Sequence, residues 1–391
     1  MSALEGDVKI LCVVGARPNF MKIAPIMAAL RKGTPQLKLL LVHTGQHYDE
    51  TMNKQHFADL GIPAPDINLE VGSGSHAVQT AEVMRRFEPV LDREAPAMVL
   101  VVGDVNSTLA CALVAAKKHV PVVHVEAGLR SKDRTMPEEI NRVLTDQISD
   151  LLLTTERSAV GNLIREGIDP KRVHFVGNVM IDTLRANLPR AITPAETLKQ
   201  NVGSIDFPTR PKQFAVLTLH RPSNVDDPKV LRSLLEAMST ISTDLPILFP
   251  VHPRTREKIE RFGFMEIISK ASVALLPPLG YLEMLGLMRD ALLVLTDSGG
   301  IQEETTALGI PCITLRSNTE RPITVSEGTN TVTGSRPDKI FAVYREVMTT
   351  GGKAGRVPEF WDGHAADRIA VILRDWLVSS AMAGLKIAKL A

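Results

Sequence analysis

Cysteine is scarce: Cys12, Cys111 and Cys312 are the only three in 391 residues, each in an apolar stretch (LCVV, ACAL, PCIT). The number is odd and no two stand at zinc or redox spacing. That excludes a disulfide framework and leaves small buried hydrophobes in a reducing compartment. Aromatics are only 4% of the chain, and 45 Lys plus Arg balance 44 Asp plus Glu to a net charge of +1. A general nucleic-acid binder needs stacking residues and a basic face, and this chain has neither; a local cationic pocket for one small anion is still allowed. No run approaches the roughly 18 uncharged apolar residues of a membrane helix. The opening MSALEGDVKI has an acidic patch and no long apolar core. We therefore expect no secretory leader, no membrane partner and a cytoplasmic location.

What is there is an ordinary globular balance, 44% hydrophobic and 23% charged. The length suggests about two or three domains. Short apolar runs at 8–14, 37–43, 98–102, 120–125 and 151–154 read as strands buried on both faces of a parallel sheet. Helical periods lie between them, near 19–32, 48–60, 76–94, 106–118 and 137–149. The alternation restarts with strands at 214–219, 247–251, 273–276, 292–296 and 312–315, separated by helices near 227–241, 254–261, 280–290 and 300–308. The stretch 178–212, rich in Pro, Thr and Asn, reads as a linker. The expected fold is α/β, with two Rossmann-like domains and a central cleft. Their bounds are 1–177 and 178–365, and a C-terminal helix at about 366–391 packs back on the first domain.

In such sheets ligands sit beyond the carboxyl ends of the strands. After the first strand comes Gly15-Ala16-Arg17-Pro18 with Lys22 one turn on. This is not G-x-G-x-x-G, so a nicotinamide site is disfavoured, but Arg17 suits a phosphate. His43-Thr44-Gly45-Gln46-His47 follows the second strand; no third ligand completes its H-x-x-x-H spacing, so we assign polar lining and no metal. Gly103-Asp104-Val105-Asn106-Ser107 and Val123-His124-Val125-Glu126 end the next two, and put carboxylates at buried strand ends. Asn106 and Ser107 are good helix-cap types. Pro137-Glu138-Glu139-Ile140-Asn141-Arg142 is a full helix-start signal. On that helix Ile140, Val143, Leu144 and Ile148 read as the core face, with Glu138, Asn141, Arg142 and Thr145 opposite. Glu138 and Arg142 stand at i,i+4.

In the second half, His220 and His252 stand at equivalent strand ends. The most specific signal is Thr296-Asp297-Ser298-Gly299-Gly300-Ile301-Gln302-Glu303-Glu304, a strand running into Ser-Gly-Gly at a helix N-terminus. Backbone N–H groups and the helix dipole there suit a diphosphate, with Glu303 and Glu304 one turn on in reach of ribose hydroxyls. Arg321 adds a cation in the following loop.

As a set, HVEAGLR, PEEINR and TDSGGIQEE, with GARP at 15–18 and SEGT at 326–329, resemble the non-hydrolysing UDP-N-acetylglucosamine 2-epimerases, which have a glycosyltransferase-B-type fold. The resemblance runs over nearly the whole chain. It implies Asp104, Glu126, Glu138 and His220 as catalytic residues. It implies Arg17, Ser298, Gly299 and Gly300 at the diphosphate, and Glu304 at the ribose. Lys22, Gln46, His47, Arg142, His252 and Arg321 join the substrate site, with uracil held near Leu279 and Met284. It further implies a UDP-sugar substrate, no cofactor, a homodimer and a place in cell-surface polysaccharide synthesis. One segment departs from the regulated bacterial members: where they carry A-Q-H-R-Q-M, residues 45–52 read GQHYDETM, and the loop between GLR and PEE is shorter. Strict activation by substrate is therefore not expected.

The chemistry fits these residues. The C2 proton of an N-acetylhexosamine has no adjacent ring carbonyl, so enolisation is closed. Eliminating UDP across C1–C2 gives a glycal that takes a proton back on the other face. That route, which the resemblance also implies, needs acid and base groups on opposite faces and a cationic clamp for the departing UDP. Neighbouring readings are a 2-epimerase for a UDP-2,3-diacetamido uronic acid, a glycosyltransferase, a hydrolysing relative and a non-catalytic sensor. The sensor would not need all four catalytic residues together.

Overall fold

A computed structural model describes residues 8–33, 37–45, 64–203 and 207–388, without the side chains of Arg17 and of 381–388. The chain divides into two compact units, residues 1–183 with 359–391, and residues 184–358.

The first unit carries β1 (Val8–Val14), β2 (Leu37–His43), β3 (Ile67–Asn68), β4 (Met98–Val102), β5 (Val122–Ala127), β6 (Leu151–Thr154) and β7 (Val173–Phe175). They pair in parallel in the order β3-β2-β1-β4-β5-β6-β7. The second unit repeats the plan with β8 (Ala215–Thr218), β9 (Ile247–Pro250), β10 (Val273–Leu276), β11 (Leu293–Thr296), β12 (Cys312–Thr314) and β13 (Asn330–Val332), in the order β10-β9-β8-β11-β12-β13. All its pairings are parallel too. Both are doubly wound sheets, as their continuous Val, Ile and Leu runs predict. In each, the strand order reverses beside the first strand, between β1 and β4 and between β8 and β11. A crevice opens at such a reversal, so the residues after these four strands are where a ligand is placed.

The helix Ala365–Ala388 returns to the first unit and packs against the helix Arg17–Gly33. Ile369 and Leu373 are fully buried there with Ile10, Phe20 and Ile23; truncating either to Ala costs about 2–5 kcal/mol. Its start is fixed from a distance. Asp182 accepts hydrogen bonds from the Ala365 and Ala366 amides at 3.2 and 2.7 Å.

Two expectations need correction. The stretch 178–212 is not an extended linker: it holds the helices Val179–Asn187 and Pro194–Val202, the second closed by a Thr193/Glu196 capping box. Thr193 and Pro194 are N-cap and N1 signals that composition alone obscured. The helix Pro137–Ile148 turns its polar side inward. Glu139, Asn141, Arg142, Thr145 and Asp146 are buried, while Ile140 and Leu144 are 43% and 47% exposed. The polar residues are drawn in because they bond to neighbouring strand ends. The helix expected near 48–60 lies outside the described residues, as do Gln46, His47 and the departing segment after them.

Candidate active site

At the switch point of the first unit, three strand ends converge on Gly15. A Cβ there would lie 2.3 Å from Ser107 Oγ and 2.9 Å from Thr44 Oγ1, so only glycine lets β1 end this close to its neighbours. Asn19 then fastens the turn. Its Oδ1 accepts from the Gly15 and Ala16 amides (3.1 and 3.0 Å) and its Nδ2 donates to the Val102 carbonyl at the end of β4 (2.9 Å).

Glu126 is placed by a bulge. β5 pairs Val125 with Leu153 and Ala127 with Thr154, leaving Glu126 as the extra residue, at φ +71°. A positive φ at a non-glycine residue costs on the order of 1–3 kcal/mol and recurs at functional sites. The bulge aims the carboxylate at Lys22, whose Nζ is 2.5 Å from Glu126 Oε2, both side chains being almost wholly buried. A Cβ on Gly103 would stand 3.2 Å from the same Nζ, so Lys22 lies beside the Asp104 loop as well.

Asp104 is held by Arg142. One guanidinium nitrogen, Nη2, meets Asp104 Oδ2, and the other, Nη1, meets Glu139 Oε2 at 2.5 Å. Asn141 Nδ2 donates to the Asp104 carbonyl (3.0 Å). Glu139 also accepts from the Ser131 and Lys132 amides, both at 2.9 Å, which ties the loop after Arg130 to this helix. Arg142 therefore does not pair with Glu138. Glu138 is half-buried and has no hydrogen-bond or ion-pair partner among the described residues. Asn106 and Ser107 do not cap their helix, whose N-cap is Val105. Asn106 instead bonds Gln79 (2.8 Å) and Asn141 (3.2 Å).

A buried network behind these groups was not read from the sequence. His124 is wholly buried, with Nδ1 2.7 Å from Asp146 Oδ1 and Nε2 2.8 Å from the Gly103 carbonyl. The ring is thereby fixed between the end of β4 and the helix Pro137–Ile148. Asp146 also takes the Gly128 amide (3.1 Å) and Arg130 Nη2 (2.7 Å). Burial alone would raise the Asp146 carboxyl; His124 and Arg130 outweigh it and hold it below the usual range. The network locks the ends of β4 and β5, which carry Asp104 and Glu126.

In the second unit His220 follows β8, and Asp297 follows β11. Nδ1 of His220 is 2.7 Å from Asp297 Oδ1; the ring is 40% exposed and the carboxylate fully buried. Asp297 also accepts from the His220 and Arg221 amides (3.0 and 2.9 Å) and from Asn224 Nδ2 (3.1 Å). Burial would raise its carboxyl, but His220 and these amides overcome that and lower it. His252, exposed at the end of β9, has its ring 6.3 Å from that of His220 and accepts the Arg254 amide on Nδ1.

Ser298 is the N-cap of the helix Gly299–Leu308. Glu304, 4% exposed on that helix, accepts from the Tyr281 hydroxyl at 3.0 Å. Burial, then Glu304, pushes the Tyr281 phenol far up, so it stays a donor. Glu303 pairs with Arg321 Nε at 2.9 Å. Leu279 is buried and Met284 half-buried nearby in sequence. Tyr281 and Asp297 were not singled out as site residues from the sequence: Asp297 stands in the run after β11, and Tyr281, before that strand, gave no signal.

Cys12, Cys111 and Cys312 are buried and outside any disulfide, with burial pushing the Cys12 and Cys312 thiols up to about 12. Among the described residues no group of three or more His, Cys, Asp or Glu is placed to hold a metal ion, and no helix is long and apolar enough to cross a membrane.

Known proteins share this plan. The chain is 42% identical over 368 residues to the UDP-N-acetylglucosamine 2-epimerase of Methanocaldococcus jannaschii, which spans 93% of this chain and 98% of that one. It is also 42% identical over 372 residues to the UDP-2,3-diacetamido-2,3-dideoxy-D-glucuronate 2-epimerase of Pseudomonas aeruginosa, covering 93% and 99%. The crystal structure of the M. jannaschii enzyme in complex with UDP-GlcNAc and UDP superposes with a TM-score of 0.85, at 41% identity over 94% of this chain and 99% of that one. Residues 29–374 match the family described as UDP-N-acetylglucosamine 2-epimerase, and with carboxylates at one switch point and a His–Asp pair beside Ser-Gly-Gly at the other, this chain belongs to that family.

Proposed function

We propose that this chain interconverts UDP-N-acetylglucosamine and UDP-N-acetylmannosamine by inverting C2, through elimination of UDP to 2-acetamidoglucal and its re-addition. The observation that carries the reading is the pair of switch points. One presents Asp104, Glu126 and Glu138; the other presents His220 beside the Ser298-Gly299-Gly300 helix start. Asp104, Glu126, Glu138 and His220 are assigned to proton transfer at C2 and to stabilising the departing UDP. Ser298–Gly300, Arg17 and Arg321 are assigned to the diphosphate, and Glu304, fixed by Tyr281, to the ribose. Lys22 orients Glu126, and Arg142 does the same for Asp104. Uracil is assigned to the region of Leu279 and Met284, with His252 lining the site. The reading calls for no cofactor or metal. It places the protein in the cytoplasm as a homodimer that supplies an activated sugar for cell-surface polysaccharide.

The test is proton NMR of the protein with UDP-N-acetylglucosamine in deuterated water. Product carrying deuterium at C2, with slow release of UDP and 2-acetamidoglucal, is expected. Product without solvent deuterium would exclude elimination through an exchanging base. The P. aeruginosa relative is as similar as the archaeal one, at 42% identity. A parallel assay therefore supplies the UDP-2,3-diacetamido uronate, and turnover of that substrate alone would reassign the sugar.

A further inference from the structure

The helix Gly299–Leu308 begins without a side-chain cap, because Ser298 makes no capping hydrogen bond. A carboxylate stands at that end instead. A Cβ on Gly299 would lie 2.7 Å from Glu320 Oε1, so Glu320 rests against the first residue of the helix. Glu320 is 5% exposed; Arg316 Nη2 is 2.9 Å from its Oε2, and Arg221 Nη2 is 3.7 Å from its Oε1. Burial would raise its carboxyl, but Arg321, Arg316 and Arg221 hold it down at about 2, so it is ionised at any working pH.

Arg316 and Arg221 are not saturated. Arg316 is 8% exposed, and among the described residues its Nη1, like Nε of Arg221, has no hydrogen-bond acceptor. Buried guanidinium nitrogens without acceptors are costly, so the cluster is suited to take up a further anion. In these pairs the cations Arg221, Arg316 and Arg321 stand against the carboxylates Glu303 and Glu320 at the positive end of a helix.

We propose that Glu320 is a resident counter-anion of the diphosphate site, a standing negative charge that a nucleoside diphosphate meets when it binds the end of this helix. The inference rests on the assignment of Ser298–Gly300 to the diphosphate. Its use follows from the reaction. When UDP leaves the sugar, the diphosphate gains a negative charge, so an uncompensated arginine cluster would hold departed UDP more tightly than the sugar nucleotide. Glu320 repels the more charged species more strongly, and so keeps the separated pair from becoming the trap from which UDP is not returned.

The test is calorimetric binding of inorganic pyrophosphate and of UDP to the full chain at low salt, with Glu320→Gln and Glu320→Asp. Glutamine keeps the shape and removes the charge; both ligands should bind about tenfold tighter, with a smaller gain for UDP-N-acetylglucosamine and more released glycal per turnover. Aspartate withdraws the charge from Gly299 by one methylene and should tighten both about two- to threefold. If both variants bind pyrophosphate no tighter than the wild type, the proposal is overturned. Tightening by pyrophosphate without any epimerisation would sink the proposed function and leave Glu320 in its role; epimerisation without tightening would do the reverse.

Discussion

Asp297 holds His220 by ring and backbone at once: Oδ1 is 2.7 Å from Nδ1, and the carboxylate also takes the His220 amide at 3.0 Å. A carboxylate on Nδ1 fixes the ring's orientation and turns Nε2 away from Asp297. The arrangement makes His220 and Asp297 one functional group supplied by two strands, β8 and β11.

Asp297→Asn should therefore lower kcat about 10²-fold or more while UDP affinity stays within a few-fold. Steady-state kinetics with UDP calorimetry checks this. Since the two residues act together, Asp297→Asn combined with His220→Gln should cost no more than His220→Gln alone.

Glu126→Gln should lower turnover about 10²–10⁴-fold with little change in UDP binding, since Ser298–Gly300 and Glu304, the groups proposed for the diphosphate and ribose, stand in the other unit. Lys22→Gln leaves a buried carboxylate without its 2.5 Å partner and should destabilise the protein by about 3–5 kcal/mol. Urea midpoints read this, and the Lys22→Gln/Glu126→Gln double variant should recover part of the loss.

Glu304→Gln should weaken UDP binding about tenfold, through poorer acceptance of ribose hydroxyls, with a smaller effect on kcat. Tyr281→Phe removes the hydroxyl that orients Glu304 at 3.0 Å and should act in the same direction, less strongly. Equal UDP affinity in both variants and the wild type would remove Glu304 from the nucleotide site.

Asp182 links pH to the seating of the C-terminal helix. Burial raises its carboxyl from 3.8 to about 6, against the pull of the Ala365 and Ala366 amides. A folded-state value above the unfolded one means the native protein binds the proton more tightly, so this group's stabilisation is complete below about pH 4 and is lost as pH rises towards 6 and above. Melting temperatures of the wild type and Asp182→Asn across pH 4–7 should show the wild type losing ground to the variant as pH rises, with the difference level above about pH 7.

Much of this protein is determined by its sequence alone. A strand buried on both faces must be a continuous apolar run, so β1, β2, β4 to β6 and β8 to β12 stand out, and chemistry-bearing residues at their carboxyl ends follow from the topology. Asp104, Glu126, His220 and the Ser-Gly-Gly helix start are legible for that reason. Strands of two or three residues at or near sheet edges, β3, β7 and β13, carry too little pattern to be seen. The helices at 179–187 and 194–202 were hidden by a composition that resembles a loop.

Which polar residue meets which is decided only by the tertiary structure. Spacing offers Glu138 to Arg142, but the fold gives Arg142 to Asp104, 38 residues away, and to Glu139, because the end of β4 reaches the buried side of that helix. The same contacts turn Ile140 and Leu144 outward against their hydrophobic period. Glu126 needs a bulge, Asp297 needs the adjacency of β8 and β11, and Glu320 needs a glycine with room beside it. Each is a long-range pairing, and charge pairs at a distance in sequence exist only once the backbone has brought their strand ends together.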